Sequence, residues 1–249
     1  MKDLNRLSAV EAAEGIRNKQ FTSEELIKDC LSRINEREND IQAWSYINTE
    51  LAIQQAQKAD RHQSEGGSLG ALHGIPIGIK DVIDTKDMPT ENGSLIFEGR
   101  RPQHDAQCVA ALRRAGAVVM GKTVTTEFAN INPSKTRNPH NIEYSPGGSS
   151  AGSGASVADF HIPLALGTQT GGSVIRPASF NGVFGLKPTL GLIPRNGLFL
   201  QSHTLDTIGV YGRTLEDLVL ILDSISICLL YTSDAADERS SVDLGGRRI

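Results

Sequence analysis

An α/β fold is predicted by three features of the chain. From about residue 72 onward, short apolar strand-like runs alternate with helix-like runs. The composition, 39% hydrophobic and 22% charged over 249 residues, is that of a globular protein long enough for one full core. Two Gly/Ser clusters, GGSS at 147–150 and TGGS at 170–173, are joined by a small-residue helix and a short apolar strand. A Gly/Ser linker stays polar and solvated, whereas Val157, Phe160, Ile162, Leu164 and Leu166 between these clusters ask for a core. The glycines therefore serve backbone geometry.

The elements follow in order. Residues 8–63 read as a helical arm: Ser8-x-x-Glu11 and Thr22-x-x-Glu25 are capping boxes, and Leu26, Ile27, Cys30, Leu31 and Ile34 recur at helical spacing. A Gly/Ser loop at 65–70 leads into Ile75-Pro76-Ile77-Gly78-Ile79, an alternating run that reads as a buried strand delivering Lys80 to the sheet's edge. Gln107 to Ala115 reads as a helix stopped by Gly116, and Ala117 to Met120 as a strand with Lys122 in a polar loop beyond it. The Asn- and Pro-rich loop 130–146 is placed at the entrance of a site or on bare surface. Phe184 to Lys187 and Leu190 to Pro194 read as strands. Thr214 starts a helix with Leu215, Leu218, Val219 and Leu222 on one face.

Composition excludes several function classes. A formal charge of −4 gives no electrostatic case for nucleic acid or anionic membranes. There is no apolar run of about 18 residues and no charged-then-apolar leader. Cys30, Cys108 and Cys228 form no C-x-x-C and join no metal-like His spacing, so they read as reduced and the expected compartment is cytoplasmic. No metal or cofactor is expected.

The Gly/Ser segment admits two chemistries. A phosphate cradle at a helix N-terminus lacks its motifs: no G-x-x-x-x-G-K-[ST] occurs, and Val157 stands where G-x-G-x-x-G needs its third glycine. A nucleophile beside an oxyanion hole fits in two ways. Gly148-Ser149-Ser150-Ala151-Gly152 matches the G-x-S-x-G elbow of an α/β-hydrolase, with Ser150 as nucleophile and Asp159 or Asp206 and His203 as partners. That reading has no HGGG-type string before the elbow and leaves TGGS without a purpose. In the other, the N–H groups of Thr170, Gly171, Gly172 and Ser173 converge as an oxyanion hole, since two of the residues lack a Cβ. Plainer roles stand beside these: Lys80 paired with Asp81 or Asp84, or reaching to water; Ser149 and Ser150 capping the helix near Ala151; Ser173 capping the helix through Pro177.

GGSS at 147–150, GTQTGGS at 167–173 and GLKPT at 185–189 together resemble the amidase signature family, and LHGIPIGIKD at 72–81 and GKTVTTEF at 121–128 extend the likeness. It covers about Ser8 to Ile225. The resemblance implies a mixed twisted sheet surrounded by helices and hydrolysis of a carboxylic amide C–N bond. It implies a Ser–Ser–Lys triad of Ser173 as nucleophile, Ser149 as bridging serine and Lys80 as base, a cis peptide before Ser149, and supporting roles for Ser150 and Arg176. The implied partner is a small-molecule amide, with homo-oligomerisation left open. Two further readings remain: the A subunit of a tRNA-dependent amidotransferase and an inactive scaffold. Against the first stand Gln169 where that subgroup has Asp, Val174-Ile175-Arg176 where Ile-Arg follows the serine directly, and Asn181 where Cys is typical. Against the second stand Lys80, Ser149 and Ser173 themselves.

The last stretch, CLLYTSDAADERSSVDLGGRRI from Cys228, continues no helical period. It resembles the translated reading frame of a transposon-end sequencing adapter, with an authentic disordered tail as the alternative. The organisation expected is therefore residues 1–227 as the N-terminal part of a single amidase domain, with an α/β core at 72–227 and the signature at 146–189, followed by a foreign or disordered tail at 228–249. A chain so organised is expected to be poorly stable and weakly active or inactive by itself.

Overall fold

Residues 3–226 are described by the computed structural model. Among them, six strands form one mixed sheet: β1 (Trp44–Ile47), β2 (Pro76–Lys80), β3 (Val118–Thr123), β4 (Leu164–Gln169), β5 (Phe184–Leu186) and β6 (Thr207–Gly212). Their order across the sheet is β1-β3-β2-β4-β6-β5. β2 runs parallel to β3 and β4, while β1, β6 and β5 join antiparallel. Around the sheet lie α1 (Ala9–Arg17), α2 (Ser23–Ile41), α3 (Thr49–Ser64), α4 (Gln107–Arg114), α5 (Ala151–Ala158), α6 (Ile175–Asn181) and α7 (Leu215–Ile225). The 228–249 tail lies outside the described residues.

Local chemistry explains the helix starts. Both expected capping boxes form, Ser8 with Glu11 and Thr22 with Glu25, and a third joins Thr214 to Asp217. In α2 the residues Leu26, Ile27, Cys30 and Ile34 are buried, as their spacing requires. Gly116, with φ of +90°, ends the α4 segment in a conformation that favours glycine.

Four elements differ from the sequence reading. The 8–63 arm is not wholly helical: Gln42 adopts a left-handed conformation after α2, and Glu38 accepts the N–H groups of Ala43 and Trp44. The chain thus turns into β1, whose partner β3 is far along the sequence. Lys122 is not in a polar loop but inside β3, fully buried, because the strand continues to Thr123. Leu190 to Pro194 forms no strand, and only Phe184–Leu186 finds a ladder partner, in β6. The buried face of α7 is Leu218, Ile221 and Ile225 against β6, leaving Leu215 and Val219 exposed.

Two consequences position the site. β2 is buried at all five residues and flanked on both sides by strands, so Lys80 at its C-terminal end enters the interior. α5, made of Ala, Gly and Ser apart from Val157, packs close enough that a Cβ on Gly152 would stand 2.1 Å from the Ala43 carbonyl oxygen and 2.4 Å from the Val124 nitrogen. Only glycine allows that approach.

Candidate active site

The two Gly/Ser clusters meet. Ser150 N donates to the Ser173 carbonyl at 3.3 Å, and the Tyr211 hydroxyl, from β6, donates to the same oxygen at 3.2 Å and to the Val174 carbonyl at 3.0 Å. Ser149, Gly171, Gly172, Ser173, Arg176 and Phe180 are among the residues lining a cleft of about 350 Å3. Asn130, Ile131 and Pro133 form part of its wall, so the 130–146 loop does border the entrance.

Lys80 is the most unusual group in this region. Its side chain is fully buried, and Nζ donates to Ser149 Oγ at 2.7 Å and to Thr168 Oγ1 at 2.8 Å. It pairs with neither Asp81 nor Asp84: Asp81 lies 3.8 Å from Lys122, and Asp84 accepts from Arg100. Burial pushes the Lys80 amine well below the ordinary lysine range, opposed by the Asp206 carboxylate. A buried lysine whose near neighbours are hydroxyls is poised to be a neutral amine.

The serines separate by role. Ser149 follows a cis peptide from Gly148, as the resemblance implies, and its side chain faces Lys80. Ser150 is not a presented elbow nucleophile: it is fully buried, and its hydroxyl donates to the Thr168 carbonyl and accepts from the Thr168 N–H, both at 3.2 Å. Nor does its side chain cap α5. The acids and the histidine considered with it lie elsewhere in the bonding network. Asp159 accepts from Arg33 and Arg37 of α2, Asp206 accepts from Thr170, and His203 is exposed.

Ser173 is not a helix cap. The N–H groups of Val174 and Ile175, at the start of α6, are accepted instead by Gln169 Oε1 at 2.8 and 3.0 Å. Among the described residues no hydrogen bond reaches the Ser173 hydroxyl or the N–H groups of Gly171, Gly172 and Ser173. A Cβ on Gly171 would meet no protein atom, so its smallness leaves space in the cleft. Arg176 is exposed on the cleft wall, with Nη1 3.4 Å from the Gly148 carbonyl oxygen.

Sequence reasoning passed over four residues that the tertiary structure adds: Thr168 on Lys80, Tyr211 on the Ser173 carbonyl, Gln169 at the start of α6, and Gln201. Gln201 Oε1 lies 3.1 Å from the Thr170 hydroxyl oxygen, and Gln201 Nε2 donates to the Phe128 carbonyl. Thr168 and Gln169 lie inside GTQTGGS and were legible as motif members without a role. Tyr211 and Gln201 carry no sequence signal. Cys30 and Cys108 are buried and free, and burial pushes both thiols up to about 12. Among the described residues no cluster suits a metal ion, and no helix is long and apolar enough to cross a membrane.

Known proteins resemble this chain in sequence and fold. The A subunit of glutamyl-tRNA(Gln) amidotransferase from Natranaerobius thermophilus is 43% identical over 229 residues, covering 90% of this chain and 47% of that protein. The same subunit from Acidothermus cellulolyticus is 42% identical over 223 residues, with 87% and 44% covered. The chain thus spans about half the length of the curated relatives it matches. Among solved structures, peptide amidase from Stenotrophomonas maltophilia superposes with a TM-score of 0.84 at 36% identity, covering 89% of this chain and 48% of that one. Fatty acid amide hydrolase superposes with a TM-score of 0.80 at 28% identity, with 88% and 40% covered. The profile of the Amidase family matches residues 25–242, ending within the 228–249 tail; the mixed sheet, the joined Gly/Ser clusters and this match together make the chain a member of the Amidase family.

Proposed function

We propose that this chain carries the machinery for hydrolysing a linear carboxylic amide through an acyl-enzyme, with Lys80, Ser149 and Ser173 as base, relay and nucleophile. A serine hydroxyl needs a neighbouring base to attack at neutral pH. The observation that carries the reading is the fully buried Lys80 amine 2.7 Å from Ser149 Oγ. With Lys80 neutral, the Ser149 proton moves to Nζ as the Ser173 proton moves to Ser149 Oγ, and Ser173 Oγ bonds to the amide carbon. The oxyanion draws on N–H groups of residues 170–173, each such donor being worth roughly 2.7–4 kcal/mol in the transition state. The C–N bond then breaks and the relayed proton leaves with the amine. Water, deprotonated along the same route, releases the acid and restores Ser173.

The open hydroxyl of Ser173 in the cleft and its carbonyl anchored by Ser150 and Tyr211 support this assignment. The test is labelling of the chain with a fluorophosphonate. Modification is expected at Ser173 alone, lost in Ser173→Ala and strongly slowed in Lys80→Ala; modification at Ser150 would defeat the proposal.

Identity of 43% to an amidotransferase A subunit favours a second reading, in which the released ammonia passes to a partner. The chemistry at Ser173 would be the same. Gln169, the Val174-Ile175-Arg176 run and Asn181 favour the hydrolase. Gln169 secures α6 as a neutral amide, and Asn181 is spent holding the Pro146 and Pro177 carbonyls. Recovery of a tRNA-binding partner with the protein would decide for the amidotransferase.

A further inference from the structure

We infer that Asp206 is a positioning residue of this site, holding Thr170 and the turn that presents Ser173. The inference rests on the amide-hydrolysis reading above and assigns a residue outside its three reacting groups.

The sheet register carries the argument. β4 and β6 are antiparallel with Gln169 opposite Thr207, so the next pair along is Thr170 and Asp206, just where the strands end and the cleft begins. Thr168 in β4 and Thr170 just past its end are two residues apart, the spacing that returns a side chain to the same face of an extended chain. The first receives Lys80 Nζ and the second donates its hydroxyl to Asp206 Oδ1. The other oxygen, Oδ2, accepts the N–H groups of Gln201 at 2.6 Å and Ser202 at 2.9 Å. One buried carboxylate therefore ties Thr170, the first residue of the Thr-Gly-Gly-Ser turn, to the segment whose Gln201 side chain donates to the Phe128 carbonyl.

The test follows the rate of fluorophosphonate labelling of Ser173 against pH in the 249-residue chain. Asp206→Asn is expected to lower the plateau severalfold, Thr170→Val to lower it likewise, and Thr170→Ser to restore the rate. A wild-type rate in Asp206→Asn or in Thr170→Val overturns the positioning role. If Asp206→Asn fails to fold, the contrast between the two Thr170 variants still decides. A wild-type chain unlabelled at Ser173, or labelled independently of Lys80, would instead sink the underlying reaction; Lys80-dependent labelling with unchanged variants sinks only the part given to Asp206.

Discussion

Lys80 and Lys122 sit on adjacent strands one pairing step apart, Lys80 opposite Thr123 and Lys122 opposite Ile79, and their amines project from opposite faces of the sheet. Lys80 meets two hydroxyls. Lys122 meets the Ile83 carbonyl and Thr90 hydroxyl, both at 2.6 Å, with Asp81 at 3.8 Å. The second fastens the segment that follows β2.

Lys122 should therefore matter to stability. Lys122→Met leaves Asp81 and the Ile83 carbonyl buried without their cation, a loss of about 3–5 kcal/mol, read by denaturant melts. Burial lowers the Lys122 amine to about 8, with Asp81 opposing. Between there and its unfolded value of about 10.4, the unfolded chain holds the extra proton, so stability rises with pH across that window. The wild type should gain on Lys122→Met from pH 8 to 10; a constant difference would refute the lowered proton affinity of the buried amine.

For Lys80 the sign concerns activity. In the proposed reaction the neutral amine is the base, and burial lowers its proton affinity, so labelling of Ser173 should rise with pH and level off well below the ordinary lysine range. Lys80→Ala should lower the rate by roughly 10²-fold or more. A profile still rising near pH 10 would mean that Lys80 is not the group that titrates.

Ser149 and Ser150 are neighbours with opposite expected phenotypes. Ser149→Ala should cut labelling without much loss of stability. Ser150→Ala deprives both backbone groups of Thr168 of their partner and should cost about 1–3 kcal/mol while Ser173 remains reactive. Paired melts and labelling rates separate the two; equal loss of reactivity would merge their roles.

Gln169→Ala removes the acceptor of two N–H groups at the start of α6. A loss of about 1–2 kcal/mol, as for a deleted cap, should accompany labelling slowed about tenfold or more, because Ser173 sits on the turn so secured. Unchanged kinetics would show that the turn holds itself.

Gly152→Ala tests the close approach of α5. Its new methyl would overlap the backbone of Ala43 and Val124, and overpacking of this kind costs about 1–3 kcal/mol or more. A melting temperature equal to wild type would contradict the packing described.

Much of the site was readable because its information is local. Capping boxes need only residues three apart, the Lys80 strand only an alternation, and the Gly/Ser clusters only composition that a linker would not show. β1 was not readable: four residues are too few to display a period, and what makes them a strand is β3, more than seventy positions away. Lys122 was misplaced for the same reason, since the end of β3 is fixed by its neighbours in the sheet. The G-x-S-x-G string at 148–152 misled because a local motif cannot say which serine faces a base and which is absorbed by Thr168.

By itself the sequence determined the α/β class, the family likeness and the identity of the lysine and serines worth watching, because those depend on residue types and short spacings. Only the tertiary structure decided which hydroxyl Lys80 touches, that Ser150 is structural, that Lys122 turns away, and that Thr170 faces Asp206. Each of those depends on strand register, and a register step of one residue reverses the face on which every side chain stands.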